Sequence, residues 1–199
     1  MVARSRAGTR PAPTMKKTPL ISHPQIGKQV YIDPAAQVIG RVQIGDYSSI
    51  WPGTVIRGDI NRIKIGRCTN VQDLSLLHVE TNRACILGDY VTIGHQVCLH
   101  ACTVKDMALV GIGSIVLDGA VIGEAALLGA GSLVTHGQKL KPGHLYFGRP
   151  AKLVRKLSRT EITGLKKWAL RYVDYARDFL EGKFQRHVFD PTIRNPTAF

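Results

Sequence analysis

Nineteen aliphatic residues of this chain fall on a stride of six, and few folds can use that spacing. They are Ile26, Ile32, Val38, Ile44, Ile50 and Ile56; then Ile65, Val71 and Leu77; then Leu87, Ile93 and Leu99; then Val104, Val110, Val116, Ile122, Leu128, Val134 and Leu140. A period of six is neither the 3.6 of a helix nor the plain alternation of a long strand. It fits a short strand followed by a tight turn, repeated so that every aliphatic enters one interior. Gly or another small or polar residue often follows the aliphatic, as in IGDYSS, LGDYVT and IGEAAL. Three such strands close a triangular coil of 18 residues, and coils stacked at about 4.8 Å bond backbone to backbone. The spacing predicts an all-β solenoid, a parallel β-helix of hexapeptide repeats.

The repeat ends after Leu140 in KPGHLYFGRPAK, punctuated by Pro and Gly. Ser158 with Glu161 then forms a capping-box pattern. Leu165, Trp168, Ala169, Tyr172, Tyr175, Ala176 and Phe179 follow helical spacing as far as Gly182, giving one C-terminal α-helix whose aromatic stripe is expected to pack on the β-helix. The expected organisation is a basic disordered tail over 1–17, a β-helix domain over 18–151, the helical segment over 152–182 and an extended tail over 183–199.

The 27 Lys and Arg against 14 Asp and Glu give a net charge of +13. Divided along the chain, 1–17 holds 5 basic and no acidic residues, 152–199 holds 11 and 5, and the middle is nearly balanced. The excess sits in terminal segments and no nucleic-acid module accompanies it, so no nucleic-acid partner is expected. No apolar run is long enough to cross a bilayer, which predicts a soluble chain without a membrane partner. Cys68, Cys85, Cys98 and Cys102 contain no C-x-x-C pair and read as small buried hydrophobes in a reducing, cytoplasmic setting. The first 17 residues lack a secretory h-region; their Arg-rich, acid-free character is shared with mitochondrial transit peptides.

The stride breaks three times: nine residues from Ile56 to Ile65, ten from Leu77 to Leu87 and five from Leu99 to Val104. If each gap is one slot with its loop lengthened or trimmed, Ile56, Leu77 and Leu99 share a face of successive coils. The residue after each then points outward, because neighbours in a strand alternate. Those residues are Arg57, His78 and His100. His78 and His100, one coil apart, can converge on one zinc ion. His95 lies at the preceding corner and would serve a neighbouring subunit, an arrangement a cyclic homotrimer of prisms supplies. His23, His136, His144 and His187 read as ordinary surface residues.

VIRGD (55–59), NVQD (70–73), LHVE (77–80), GHQVCLHACTV (94–104), GIGSIVLDGAVI (111–122) and LYFGRPAK (145–152) together resemble the gamma-class carbonic anhydrase family, in its compact bacterial branch. The resemblance covers most of 18–182 and implies a left-handed sense for the β-helix. It implies metal-dependent, reversible hydration of carbon dioxide to bicarbonate by a metal-bound hydroxide at trimer interfaces. It further implies His78, His95 and His100 as metal ligands, with His95 given across the interface. Arg57 and Asp59 match an interfacial pair, bonded to each other or to Asp73 of the adjoining subunit. Gln72 matches the residue that orients the nucleophile, and Tyr146 matches the pocket wall.

Zn2+ is the expected cofactor, with Fe2+ or Co2+ also suited to imidazole ligands. Efficient members of the family carry an acidic loop and an extra glutamate as proton shuttles. Here Ile60 and Asn61 follow Asp59, and Glu80 is the only carboxyl after His78 within 79–83, so slow turnover is expected. Two alternatives stay open on the residues: a non-catalytic metal-binding trimer, and a hexapeptide-repeat acyltransferase using one His as general base.

Overall fold

The computed structural model describes residues 23–184. The expectations for 1–17, for the segment leading into the repeat and for the tail beyond Phe184 lie outside the described residues. Within them the chain winds as a parallel β-helix with three faces. Face I stacks Val38, Ile56, Leu77, Leu99, Val116 and Val134 in register. Face II stacks Ile26, Ile44, Ile65, Leu87, Val104, Ile122 and Leu140. Face III stacks Ile32, Ile50, Val71, Ile93, Val110, Leu128 and Tyr146. From Ile44 and Ile50 onward these columns are almost wholly sealed from solvent, and together they form one continuous core.

A second interior column lies two residues before each aliphatic and takes small side chains, among them Ser48, Thr54, Thr69, Ser75, Cys85, Cys102, Ala108, Ser114, Ala120, Ala126 and Ser132, all at most 2 % exposed. The hydroxyls bond to the backbone of the next coil. Ser48 donates to the Gly66 carbonyl at 2.7 Å, Thr54 to Gln72 at 2.9 Å and Thr69 to Gly88 at 2.8 Å. Among the described residues no buried side-chain nitrogen or oxygen lacks a partner, as a packed interior requires. Cys85 and Cys102 occupy this column on adjacent coils; the hydrogen bond between them, and then burial, push the Cys102 thiol up and keep it protonated. Cys68 is buried as expected, whereas Cys98 is half-buried on the outer side of face I beside Leu76 and Ile115.

Regular turns place the third residue after the aliphatic in the left-handed region, with Tyr47 at φ 61°, Cys68 at 51° and Tyr90 at 57°, and Gly at 113, 119, 131 and 137. At the corner from face II to face III the turns nest so closely that a Cβ on Gly66 would come within 2.4 Å of the Gly88 carbonyl oxygen. All three breaks of the stride fall at the corner from face I to face II. There the strand Val55–Ile65 bends across both faces, a loop joins Leu76–His78 to Cys85–Leu87, and a shortened turn with Ala101 at φ 45° joins Cys98–His100 to Thr103–Val104.

The helix spans Arg159–Leu180 with the reciprocal Ser158/Glu161 capping box in place. At 1.5 Å per residue it is about 33 Å long, close to the roughly 29 Å of seven rungs at 4.8 Å. Its first half covers Leu109, Leu127, Leu145 and Ala125 through Leu165, and its second half covers Tyr31 and Trp51 through Ala176, Tyr172 and Phe179. The expected stripe is narrower than its sequence spacing: Trp168 and Tyr175 are exposed, and the covered positions after Leu165 are Ala169 and Ala176, which let the backbone approach the sheet.

Two further differences come at the exit. Tyr146 continues the stride of six beyond Leu140 as an interior residue paired with Leu128. The segment assigned to the helix begins instead with a strand, Lys152–Lys156, running antiparallel to His144–Phe147.

Candidate metal centre

His78 and His100 face each other as directly paired residues on adjacent rungs of face I, and Arg57 stands one rung before them at the end of the same column. His78 Nδ1 lies 3.1 Å from His100 Nε2. The remaining nitrogen of each ring meets a carboxylate: His78 Nε2 is 3.0 Å from Asp59 Oδ1, and His100 Nδ1 contacts Asp118 Oδ1. A carboxylate accepts, so those two nitrogens carry the protons and the facing pair carries lone pairs. Two lone pairs at that distance repel unless a cation or a proton sits between them.

Two bonds of 2.0–2.1 Å at a tetrahedral zinc would set ligand nitrogens roughly 3.3 Å apart, so the pair fits that ion. Partial burial works to raise the Asp59 pKa, but hydrogen bonds from His78, the Ile60 N–H and Arg57 outweigh it and hold the carboxyl below its ordinary range. Gly58 of the Arg-Gly-Asp turn is required by close approach, since a Cβ there would come within 2.7 Å of the Arg41 carbonyl oxygen.

His95 follows the face III strand Thr92–Ile93 and sits at the corner leading into face I, three residues before the strand that His100 ends. Its Nδ1 is 2.8 Å from Asp73 Oδ2, which leaves Nε2 as the coordinating nitrogen. Gln72 adjoins this group and is 4 % exposed. It donates from Nε2 to Asn70 Oδ1 at 3.0 Å, and Asn70 donates to Thr92 Oγ1 at 3.0 Å. The amide is therefore pinned, and Oε1 is the atom left for a ligand.

Thus Arg57, Asp59, His78, His100 and Asp118 gather at one edge of face I, and Gln72, Asp73 and His95 at the other. Among the described residues of one chain no three His, Cys, Asp or Glu converge as a metal site. Arg57 pairs with Asp59 of its own chain. Tyr146 is not brought to either edge: it lies in the interior of the last coil, where its hydroxyl accepts from the Lys141 N–H at 3.0 Å.

Sequence reasoning missed Asp118, although it stands one 18-residue coil beyond His100, and Asn70, the partner of Gln72. It also missed how the loop after His78 is held. Asn61 Nδ2 donates to the carbonyls of Glu80 and Thr81 at 3.2 and 3.1 Å, and Glu80 faces Arg83 at 3.9 Å.

A stacked solenoid of this kind defines a hexapeptide-repeat protein, and residues 23–58 match the bacterial transferase hexapeptide (six repeats) family. The chain is 47 % identical over 151 residues to the carbonic anhydrase of Geobacillus kaustophilus, covering 76 % of this chain and 83 % of that one. It is 44 % identical over 160 residues to gamma carbonic anhydrase 2, mitochondrial, of Arabidopsis thaliana, covering 77 % of this chain and 58 % of that longer protein. A crystal structure of a hexapeptide transferase family protein from Anaplasma phagocytophilum superposes with a TM-score of 0.76 at 44 % identity, covering 78 % of this chain and 92 % of that one. The chain belongs to the gamma-class carbonic anhydrase family.

Proposed function

We propose that this protein hydrates carbon dioxide reversibly at divalent-metal centres shared between the subunits of a homotrimer. The observation that carries this reading is the pair of half-sites on opposite edges of face I. Each half is incomplete, and head-to-tail contact joins His78 and His100 of one chain to the partner subunit's His95. Between the edges, Val55, Leu76, Cys98, Ile115 and Leu133 form an outward column, with Leu74 61 % and Ile112 52 % exposed nearby. That apolar strip supports burial against another copy. Heterologous contacts of this kind close into rings, and triangular prisms close in threes.

Three neutral imidazoles suit Zn2+ first and Fe2+ or Co2+ after it. The chemistry such a cation supplies is acidified water, its pKa lowered from about 15.7 to about 7. The chain's own residues do the rest. Asp59, Asp118 and Asp73 fix which nitrogen of each histidine is free. Arg57 holds Asp59 against His78. Gln72 Oε1 accepts a hydrogen bond from the attacking oxygen and orients it without titrating. Glu80 follows His78 by two residues and is faced by Arg83, and with no other carboxyl in 79–83 proton release is taken to depend on external buffer. An acyltransferase would need one basic histidine and no carboxylate behind each of three. A cytoplasmic setting is part of this proposal, supported by the likeness to the carbonic anhydrase of Geobacillus kaustophilus.

Stopped-flow hydration on metal-loaded protein tests this directly. Metal-dependent turnover is expected, and it should rise with added imidazole buffer; no metal-dependent turnover in either buffer would leave the non-catalytic trimer as the better account.

A further inference from the structure

Face II carries a second cluster, at the end of the β-helix away from its helical exit. Gln25, Gln43 and Lys64 stack in register on three rungs, and Val42 pairs with Ile63, so Arg41 and Arg62 are neighbours on adjacent rungs. Val42 and Ile63 point inward and are almost fully buried, which by alternation turns Arg41, Gln43, Arg62 and Lys64 outward on one side. His23 and Gln25 complete the rim of a groove of about 380 Å³.

Among the described residues no carboxylate lines this groove. Among the described residues, Arg57, Arg83, Arg155, Arg177 and Lys183 each have a carboxylate partner, while no carboxylate pairs with Arg41, Arg62 or Lys64. The preceding residues, 1–22, contain no Asp or Glu. The adjoining groove on the same face, which shares Lys64, is lined also by Asp89, Lys105 and Asp106, and the one beyond it sets Lys105, Lys139 and Lys141 beside Asp106 and Glu124. Two guanidinium side chains that leave adjacent rungs on one side repel each other unless an anion lies between them. Their planar forks match phosphoryl oxygens, and the two glutamines add neutral donors.

We propose that this groove binds a small, multiply charged oxyanion of the phosphoryl class, seated across Arg41 and Arg62 and closed by Lys64. The acidic neighbours on the same face limit the site to a compact ligand rather than a polymer. The proposal is independent of the metal centre.

Titration calorimetry of the full chain with pyrophosphate, at an ionic strength fixed with chloride, is the test. One saturable site per chain is expected, with inorganic phosphate binding more weakly. The double variant Arg41→Gln, Arg62→Gln should lose at least tenfold in affinity with unchanged far-ultraviolet circular dichroism and melting temperature, while Lys141→Gln on the same face should bind as before. An absence of saturation, or equal affinity in the double variant, would overturn the site. Co-sedimentation with phosphatidylinositol-phosphate vesicles that is lost in the double variant would overturn the soluble-ligand assignment in favour of a headgroup.

Discussion

His100 shows what a single residue needs before it can serve as a ligand. Its Nε2 faces His78 only because Nδ1 is committed to Asp118 on the following coil. Replacing Asp118 with Asn keeps the shape but removes the ionised acceptor, and metal affinity should fall about 10- to 100-fold, as for other partners behind ligating histidines. Competition with a chromogenic chelator would measure it, and unchanged affinity would show Asp118 to be a bystander. The residues that face outward after Ile56, Leu77 and Leu99 were readable from the chain because alternation leaves them no other direction. Asp118 was not, because it interrupts no stride and becomes a partner only once coils are stacked. The interior place of Tyr146 was not legible for the same reason in reverse: an aromatic at an interior position of the stride does not register in a pattern of aliphatics.

At the scale of an element, the helix depends on its first turn. Ser158 N–H donates to Glu161 Oε2 at 2.8 Å, Glu161 N–H donates to Ser158 Oγ at 3.2 Å, and Arg155 grips both Glu161 oxygens at 3.0 and 2.7 Å. The Arg155 hydrogen bonds first, then those from Ser158, hold the Glu161 carboxyl at about 2. A folded-state pKa below the ordinary 4.5 means the contribution is complete above about pH 4.5 and is lost as pH falls toward 2. Melting temperature should therefore decline across that window, and less so in Glu161→Gln; parallel curves would exclude this carboxyl as the cause. Ser158→Ala should cost about 1 kcal/mol at neutral pH, read by denaturant titration. The helix was legible from its cap and its periodicity. The strand Lys152–Lys156 was not, since every one of its residues is exposed and no buried face imposes alternation.

The whole molecule is defined by where its irregularities fall. Every lengthened or shortened turn sits at one corner, and the opposite edge of the same face carries His95, so the proposed centre exists only between copies. Mixing tests this without any assumption about rate. Chains with His95→Ala and chains with His78→Ala should each bind little metal alone. Dissociated and reassociated in equal amounts, they should regain about a quarter of the sites, because each mixed ring closes one intact junction in three. Metal analysis of the mixture would show no recovery if all ligands came from a single chain.

A stack of near-identical rungs carries no inherent stopping point: its final layer presents the same unpaired backbone groups that received each layer before it. On face III that growing front is met by Lys152–Lys156, which runs against the direction of every other strand and offers lysine and arginine outward. Reversal at this point works as a terminator, giving a form of repeat that could polymerise into a filament a finite length.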